Sequence, residues 1–140
     1  MKTITRMKYL NRIIELNGTP DIKIITGIRR SGKSNLMQAY IEYIKNNFDN
    51  INVIFIDFMD LAYEGIKEYH ALHSYVEEHY QAGKTNYLFV DEVQMCPNFE
   101  LAINSLYSKH KYDIYVTGSN AFLLSADLAK IGRASCRERV

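Results

Sequence analysis

The sequence predicts a three-layer α/β/α fold around a mainly parallel sheet. Short, nearly continuous apolar runs alternate along the chain with longer segments whose apolar residues recur at helical spacing. A glycine-containing turn joins the first such run to the first long helix. Alternation of this kind places strands side by side through right-handed helical crossovers, with helices on both faces. The 140 residues are 47% hydrophobic and 24% charged with a formal net charge of +1, which suits one globular domain and excludes a disordered tail or a chain-wide basic nucleic-acid module.

From Met7 to Leu16 the residues Met7, Leu10, Ile13 and Ile14 fall on one helical side, and Asn17-Gly18-Thr19-Pro20 then stops the helix. Ile22–Thr26 is β-branched and reads as a strand ending at Gly27. Ser34 to Asn47 forms a helix, with Leu36, Met37, Tyr40, Ile41 and Ile44 on one stripe. Asn52–Phe58 is almost wholly apolar, the pattern of a strand covered on both faces. Tyr69 to Gln81 reads as a helix burying Tyr69, Leu72, Val76 and Tyr80, with Tyr75 at the edge, and a loop over 82–86 precedes the strand Tyr87–Val90. After Pro97, Phe99, Ala102, Ile103, Leu106 and Tyr107 mark another amphipathic helix, and Asp113–Thr117 is the fourth strand.

Gly27-Ile28-Arg29-Arg30-Ser31-Gly32-Lys33-Ser34 matches G-x-x-x-x-G-K-[ST], with a strand before it and a helix after it. The chemistry follows from the residue types. Glycines let backbone N–H groups converge on phosphate oxygens, and the helix adds the positive end of its dipole. Lys33 can reach the β and γ phosphates, and Ser34 offers Mg²⁺ a hard oxygen. With Asn35 the whole segment from Gly27 is the expected nucleotide-binding stretch.

Asp91-Glu92 closes the apolar strand Tyr87–Val90, so both carboxylates are expected at the carboxyl edge of the sheet, where ligands of such folds bind. Asp91 is suited to Mg²⁺, directly or through water, and Glu92 to polarising a water in line with the γ-phosphoryl group. Thr117-Gly118-Ser119-Asn120 ends the fourth strand with small polar residues, equally compatible with ordinary turn chemistry and with a water-orienting or γ-phosphate role.

Other groups point elsewhere. His70, His73 and Glu77 share one helical side, but that side flanks the apolar stripe and reads as solvent-facing. His79 is expected as a partly buried packing residue and Cys96 as a small apolar filler. Cys96 and Cys136 have no metal-ligand spacing and are too few for a disulfide framework. With no apolar leader and no spanning run, the expected compartment is the cytoplasm.

The segments GIRRSGKSNLM, NYLFVDEVQ and DIYVTGSNAFLLSADLA together resemble the predicted prokaryotic ATPases of the AAA superfamily, over nearly all of residues 7 to 130. The resemblance implies sheet order 5-1-4-3-2, a Walker A loop at Gly27 to Ser34, Walker B acids at Asp91 and Glu92, and a sensor at Asn120, with Ser119 as the alternative. It implies ATP and Mg²⁺ as ligands, with Lys33, Glu92 and Asn120 as the hydrolytic residues. In related proteins a carboxy-terminal region follows the core, so a homo-oligomer or protein partner is open, and nucleic acid would be met only through that region. No membrane contact is implied.

Residues 131–140, with three arginines and a cysteine, abandon the composition of the rest and resemble a translated sequencing adapter. The expected organisation is therefore a helix and linker over 1–18, an ATPase core over 19–130 lacking its last strand and lid, and a foreign tail. On this reading the chain is a fragment of an ATPase, inactive or impaired in turnover. Two alternatives to an ATPase stay open: a nucleotide-dependent binding switch with little turnover, and a P-loop small-molecule kinase. A GTPase is disfavoured because no Asn-Lys-x-Asp string occurs, and a helicase would need a second RecA-like domain.

Overall fold

The computed structural model describes residues 10–27 and 33–119. The end of an N-terminal helix, α1, covers residues 10–15. It is followed by β1 (Lys23–Gly27), α2 (Lys33–Asn47), β2 (Ile51–Asp57), α3 (Tyr69–His79), β3 (Thr85–Asp91), α4 (Phe99–Ser108) and β4 (Asp113–Ser119). Short 3-10 turns at Leu61–Ile66 and Val93–Met95 follow β2 and β3.

The four strands form one parallel sheet in the order β1-β4-β3-β2. This is the order implied for the first four strands of the five-strand core. Residues 131–140, expected to be foreign, and the start of the N-terminal helix at Met7 lie outside the described residues, and the expectation that the fifth strand is missing is not tested by them.

Period-two alternation along the strands divides the core into two layers. Ile24, Ile54, Ile56, Leu88, Val90, Ile114 and Val116 face one side, where Leu72 and Val76 of α3 and Phe99, Ala102, Ile103 and Leu106 of α4 cover them. Ile25, Tyr87, Phe89 and Tyr115 face the other side, under Leu36, Met37, Tyr40, Ile41 and Ile44 of α2 and Ile13 of α1. Phe89 and Tyr115 stack with ring centroids 4.9 Å apart. The stripes read from spacing on α2, α3 and α4 supply the buried residues, with Tyr69, Tyr75 and Tyr107 packed at the rim; Tyr80, expected on the α3 stripe, is only half-buried and lies past the helix end.

Three local expectations need correction. α3 ends at His79 and not at Gln81, because the Asn86 side chain takes both backbone groups of Gln81: Gln81 N–H donates to Asn86 Oδ1 at 3.0 Å, and Asn86 Nδ2 donates to the Gln81 carbonyl at 2.9 Å. The residue between them, Tyr80, is extended and leaves the helix. Thr85 and Asn86, read as loop, are strand, since Ile51 and Asn52 of β2 stand opposite them in register. β2 itself is not covered on both faces. It is one of the two edge strands of the described sheet, and Ile54 and Ile56 are buried whereas Ile51, Val53 and Phe55 are only half-buried on the α2 side.

Candidate functional site

The carboxyl ends of β1, β4 and β3 lie side by side. Gly27 is the last residue of β1 and stands opposite Ser119, the last residue of β4. Six residues later α2 begins at Lys33, so its amino-terminal end starts from the same edge of the sheet. A helix start leaves backbone N–H groups without intrahelical partners and carries partial positive charge, the arrangement that binds anions. Lys33 and Ser34 are its first two residues, and Asn35 on the same turn is exposed. Ile28, Arg29, Arg30, Ser31 and Gly32 lie outside the described residues, as does Asn120.

Asp91 ends β3 and is almost fully buried, at 4% exposure. The reason is its neighbourhood: β3 is an interior strand whose preceding residues Tyr87, Leu88, Phe89 and Val90 are all buried. A carboxylate held there needs hydrogen-bond donors. One is the hydroxyl of Thr117, itself fully buried, which donates to Asp91 Oδ1.

Glu92 follows in the left-handed region, at φ 56° and ψ 53°, a conformation that side chains with a Cβ adopt rarely. Its backbone N–H donates to Thr117 Oγ1 at 3.0 Å. Its carboxylate Oε1 accepts from Gln94 Nε2 at 2.7 Å, while Gln94 Oε1 is buried with no hydrogen-bond partner among the described residues.

Sequence reasoning singled out Asp91 and Glu92 but not what fixes them. Thr117 was visible only as one member of a polar strand end. Asp57 was missed altogether. It ends β2 and stands in register opposite Asp91. Its carboxyl is raised above the ordinary value by burial, against the lowering bond from the Met59 amide, with the negative charges of Asp91, Asp60 and Glu92 adding to the rise. The available signal was an acid closing a buried apolar run, the same pattern that picked out Asp91.

The histidines of α3 go to other tasks. His70 is exposed and pairs with Glu68, whose carboxylate caps the helix start. His73 Nε2 lies 3.0 Å from Ser105 Oγ of α4. Glu77 accepts from the Tyr112 hydroxyl at 2.8 Å and pairs with Lys111. His79 is exposed, contrary to expectation: its ring stacks on Tyr75 at the helix surface, 4.1 Å between centroids, and Nδ1 lies 2.7 Å from the Tyr75 carbonyl. Cys96 is fully buried among apolar neighbours, as its reading as a filler requires. No helix among the described residues is long and apolar enough to cross a membrane.

Comparison with known proteins places this edge in context. The chain is 32% identical over 130 residues to an uncharacterized protein of Haemophilus influenzae, covering 91% of this chain and 32% of that protein. It is 30% identical over 126 residues to an uncharacterized protein of Methanocaldococcus jannaschii, covering 89% of this chain and 27% of that one. The chain thus spans about a third of the length of the curated relatives it matches. Among solved structures it shows a remote likeness to the genome packaging NTPase B204 from Sulfolobus turreted icosahedral virus 2, in complex with AMPPCP: TM-score 0.44 and 16% identity, over 71% of this chain and 65% of that one. The sequence profile described as "AAA domain" matches residues 19–136, running six residues into the stretch whose composition sets it apart. With that match spanning most of its length, the chain belongs to the AAA domain family.

Proposed function

We propose that the chain forms the nucleotide-binding core of a Mg²⁺-dependent ATPase, with Gly27 to Asn35 cradling the phosphates, Ser34 and Asp91 holding the metal, and Lys33, Glu92 and Asn120 serving hydrolysis. One observation carries the reading: β1, which feeds the G-x-x-x-x-G-K-S loop and the start of α2, is separated from the Asp91-Glu92 end of β3 by β4 alone. Helix start and acidic pair therefore share the carboxyl edge of the sheet, the place where open α/β sheets bind ligands.

The residues suit the cation. Mg²⁺ takes hard oxygens and is usually held by one or two carboxylates together with phosphates and waters. Among the described residues no group of three or more histidines, cysteines and acids is placed to hold a metal unaided, which fits a metal recruited with the nucleotide. Burial is the main cause of the raised carboxyl of Asp57, and the negative charges of Asp91, Asp60 and Glu92 add to it; a cation at this edge would offset that smaller, electrostatic part. When bound, Mg²⁺ supplies charge neutralisation at the β and γ phosphates.

The chain's own groups do the rest. Lys33 offsets charge on the phosphates, and the α2 start orients them. Glu92 accepts the proton of the attacking water, with Asn120 orienting that water. The region of the relatives outside the matched third is where we place the conformational change that turnover drives, together with any oligomer or partner contacts. Replacing Glu92 with Gln tests the assignment. Turnover should fall at least a hundredfold, the usual scale for a general base, while nucleotide affinity stays within about threefold of wild type. Undiminished turnover in Glu92→Gln would overturn it.

A further inference from the structure

β4 occupies the position between the phosphate-loop strand and the acidic strand, and its Thr117 carries an unusual pair of contacts. We propose that Thr117 is a positioning residue: its hydroxyl fixes the Asp91 carboxylate and the Glu92 backbone together, so that it governs the rate of hydrolysis and not the affinity for nucleotide. This rests on the reading of Asp91 and Glu92 given above.

The hydroxyl uses both of its capacities at once. Its proton goes to Asp91 Oδ1 and its lone pair receives the Glu92 N–H at 3.0 Å. Thr117 is fully buried, and a hydroxyl removed from water is tolerated only when its hydrogen bonds are made. The backbone ladder between β3 and β4 runs through Val90 opposite Val116, so one step further along the side chain of Thr117 bridges the strands. At that step the chain turns sharply, since Glu92 is left-handed at φ 56°. A residue in such a conformation persists where its surroundings over-determine it, and the Glu92 N–H bond to Thr117 is one of the contacts that do so. Gln94 steadies the carboxylate end of the same residue at 2.7 Å.

Position and reach separate this role from that of a phosphate sensor. Thr117 acts through the acids and lies two residues before the end of β4, whereas a sensor would project from the strand's exit. Thr117→Val keeps the branched shape and removes the hydroxyl. Thr117→Ser keeps the hydroxyl and removes a methyl.

The test compares these two variants with wild type in MgATP turnover, in calorimetric affinity for MgATP, and in hydrogen exchange of the Glu92 amide. Thr117→Val should lower kcat about tenfold, the effect of one ordinary hydrogen bond, with KM and affinity changed less than about threefold. Its Glu92 amide should exchange about tenfold faster, and Thr117→Ser should retain wild-type behaviour in both respects. Equal losses in Val and Ser, or unchanged turnover in Val, would overturn the proposal. If wild type shows no turnover, as expected of an inactive fragment, Glu92 exchange decides the clamp: faster in Val alone supports it, unchanged in Val refutes it, and the ATPase reading is judged separately by MgATP affinity. Should Thr117→Val not fold, Thr117→Ala takes its place with the same expected results.

Discussion

Lys23 and Asp113, 90 residues apart in sequence, form an ion pair buried beneath the sheet, with side chains 1% and 8% exposed. Lys23 opens β1 and Asp113 opens β4. The pair sits at the end of the sheet opposite the acids, within a wider polar network. Lys23 also donates to the Thr19 carbonyl, and Asp113 Oδ2 accepts from Gly18 N–H and the Tyr115 hydroxyl, each at 3.0 Å. Tyr115 in turn meets Tyr40 at 2.8 Å, and Asn17 donates to Tyr40 and Tyr87 at 2.8 and 2.9 Å. The network ties the turn after α1 to the foot of β1, β3 and β4, and burial raises the Tyr40 and Tyr115 hydroxyls above their ordinary pKa.

Removing one partner of such a pair strands the other charge in the interior. Lys23→Met should therefore cost about 3–5 kcal/mol, measured by urea unfolding. A loss below about 1 kcal/mol would show that water reaches Asp113 and that the pair contributes little.

Much of the fold was readable because its signals are local. The buried stripes of α2 and α4 and the apolar runs of β3 and β4 depend on neighbours within a few residues, and period alone exposes them. What sequence could not supply are contacts between distant segments: Asn86 capturing Gln81 and ending α3 early, Lys23 meeting Asp113, Thr117 reaching Asp91. The carboxyl edge is a mixed case. Asp91-Glu92 and the glycine-rich string announce themselves by composition, but the left-handed turn at Glu92 depends on a strand that arrives 25 residues later. Asp57 closes an apolar run as Asp91 does, but with no second acid beside it, and its register opposite Asp91 is what brings it to this edge.

His110 follows the end of α4 in a left-handed conformation, at φ 56°, where its N–H donates to the Tyr107 carbonyl at 3.1 Å. Helices ending in this way favour glycine at that position. His110→Gly should raise stability by about 0.5–1 kcal/mol, relief of the left-handed strain exceeding glycine's extra chain entropy and the loss of the ring contact with Tyr107. Thermal melting would show it as a rise of a few degrees, and a fall would mean that the ring contact outweighs the strain.

Cys96 is a pH probe of the α4 face. Burial raises its thiol from an ordinary 9.0 to about 11, with the charges of Glu68 and Glu100 adding to the effect. A folded value above the unfolded one means that this contribution to stability is whole below pH 9 and is lost as pH rises through about 11. At pH 8 the Cys96 peptide should be alkylated at least a hundredfold more slowly in the native chain than in urea, since the thiolate is the reactive form. Comparable rates would show that α4 opens readily.

The central claim is tested most directly by calorimetry of ATP binding to the 140-residue chain, with and without Mg²⁺, beside Lys33→Ala. The account predicts saturable binding that Mg²⁺ strengthens and that Lys33→Ala weakens at least tenfold, with the variant still folded by circular dichroism. A folded wild-type chain that binds no ATP, or a Lys33→Ala variant that binds it equally well, would contradict it.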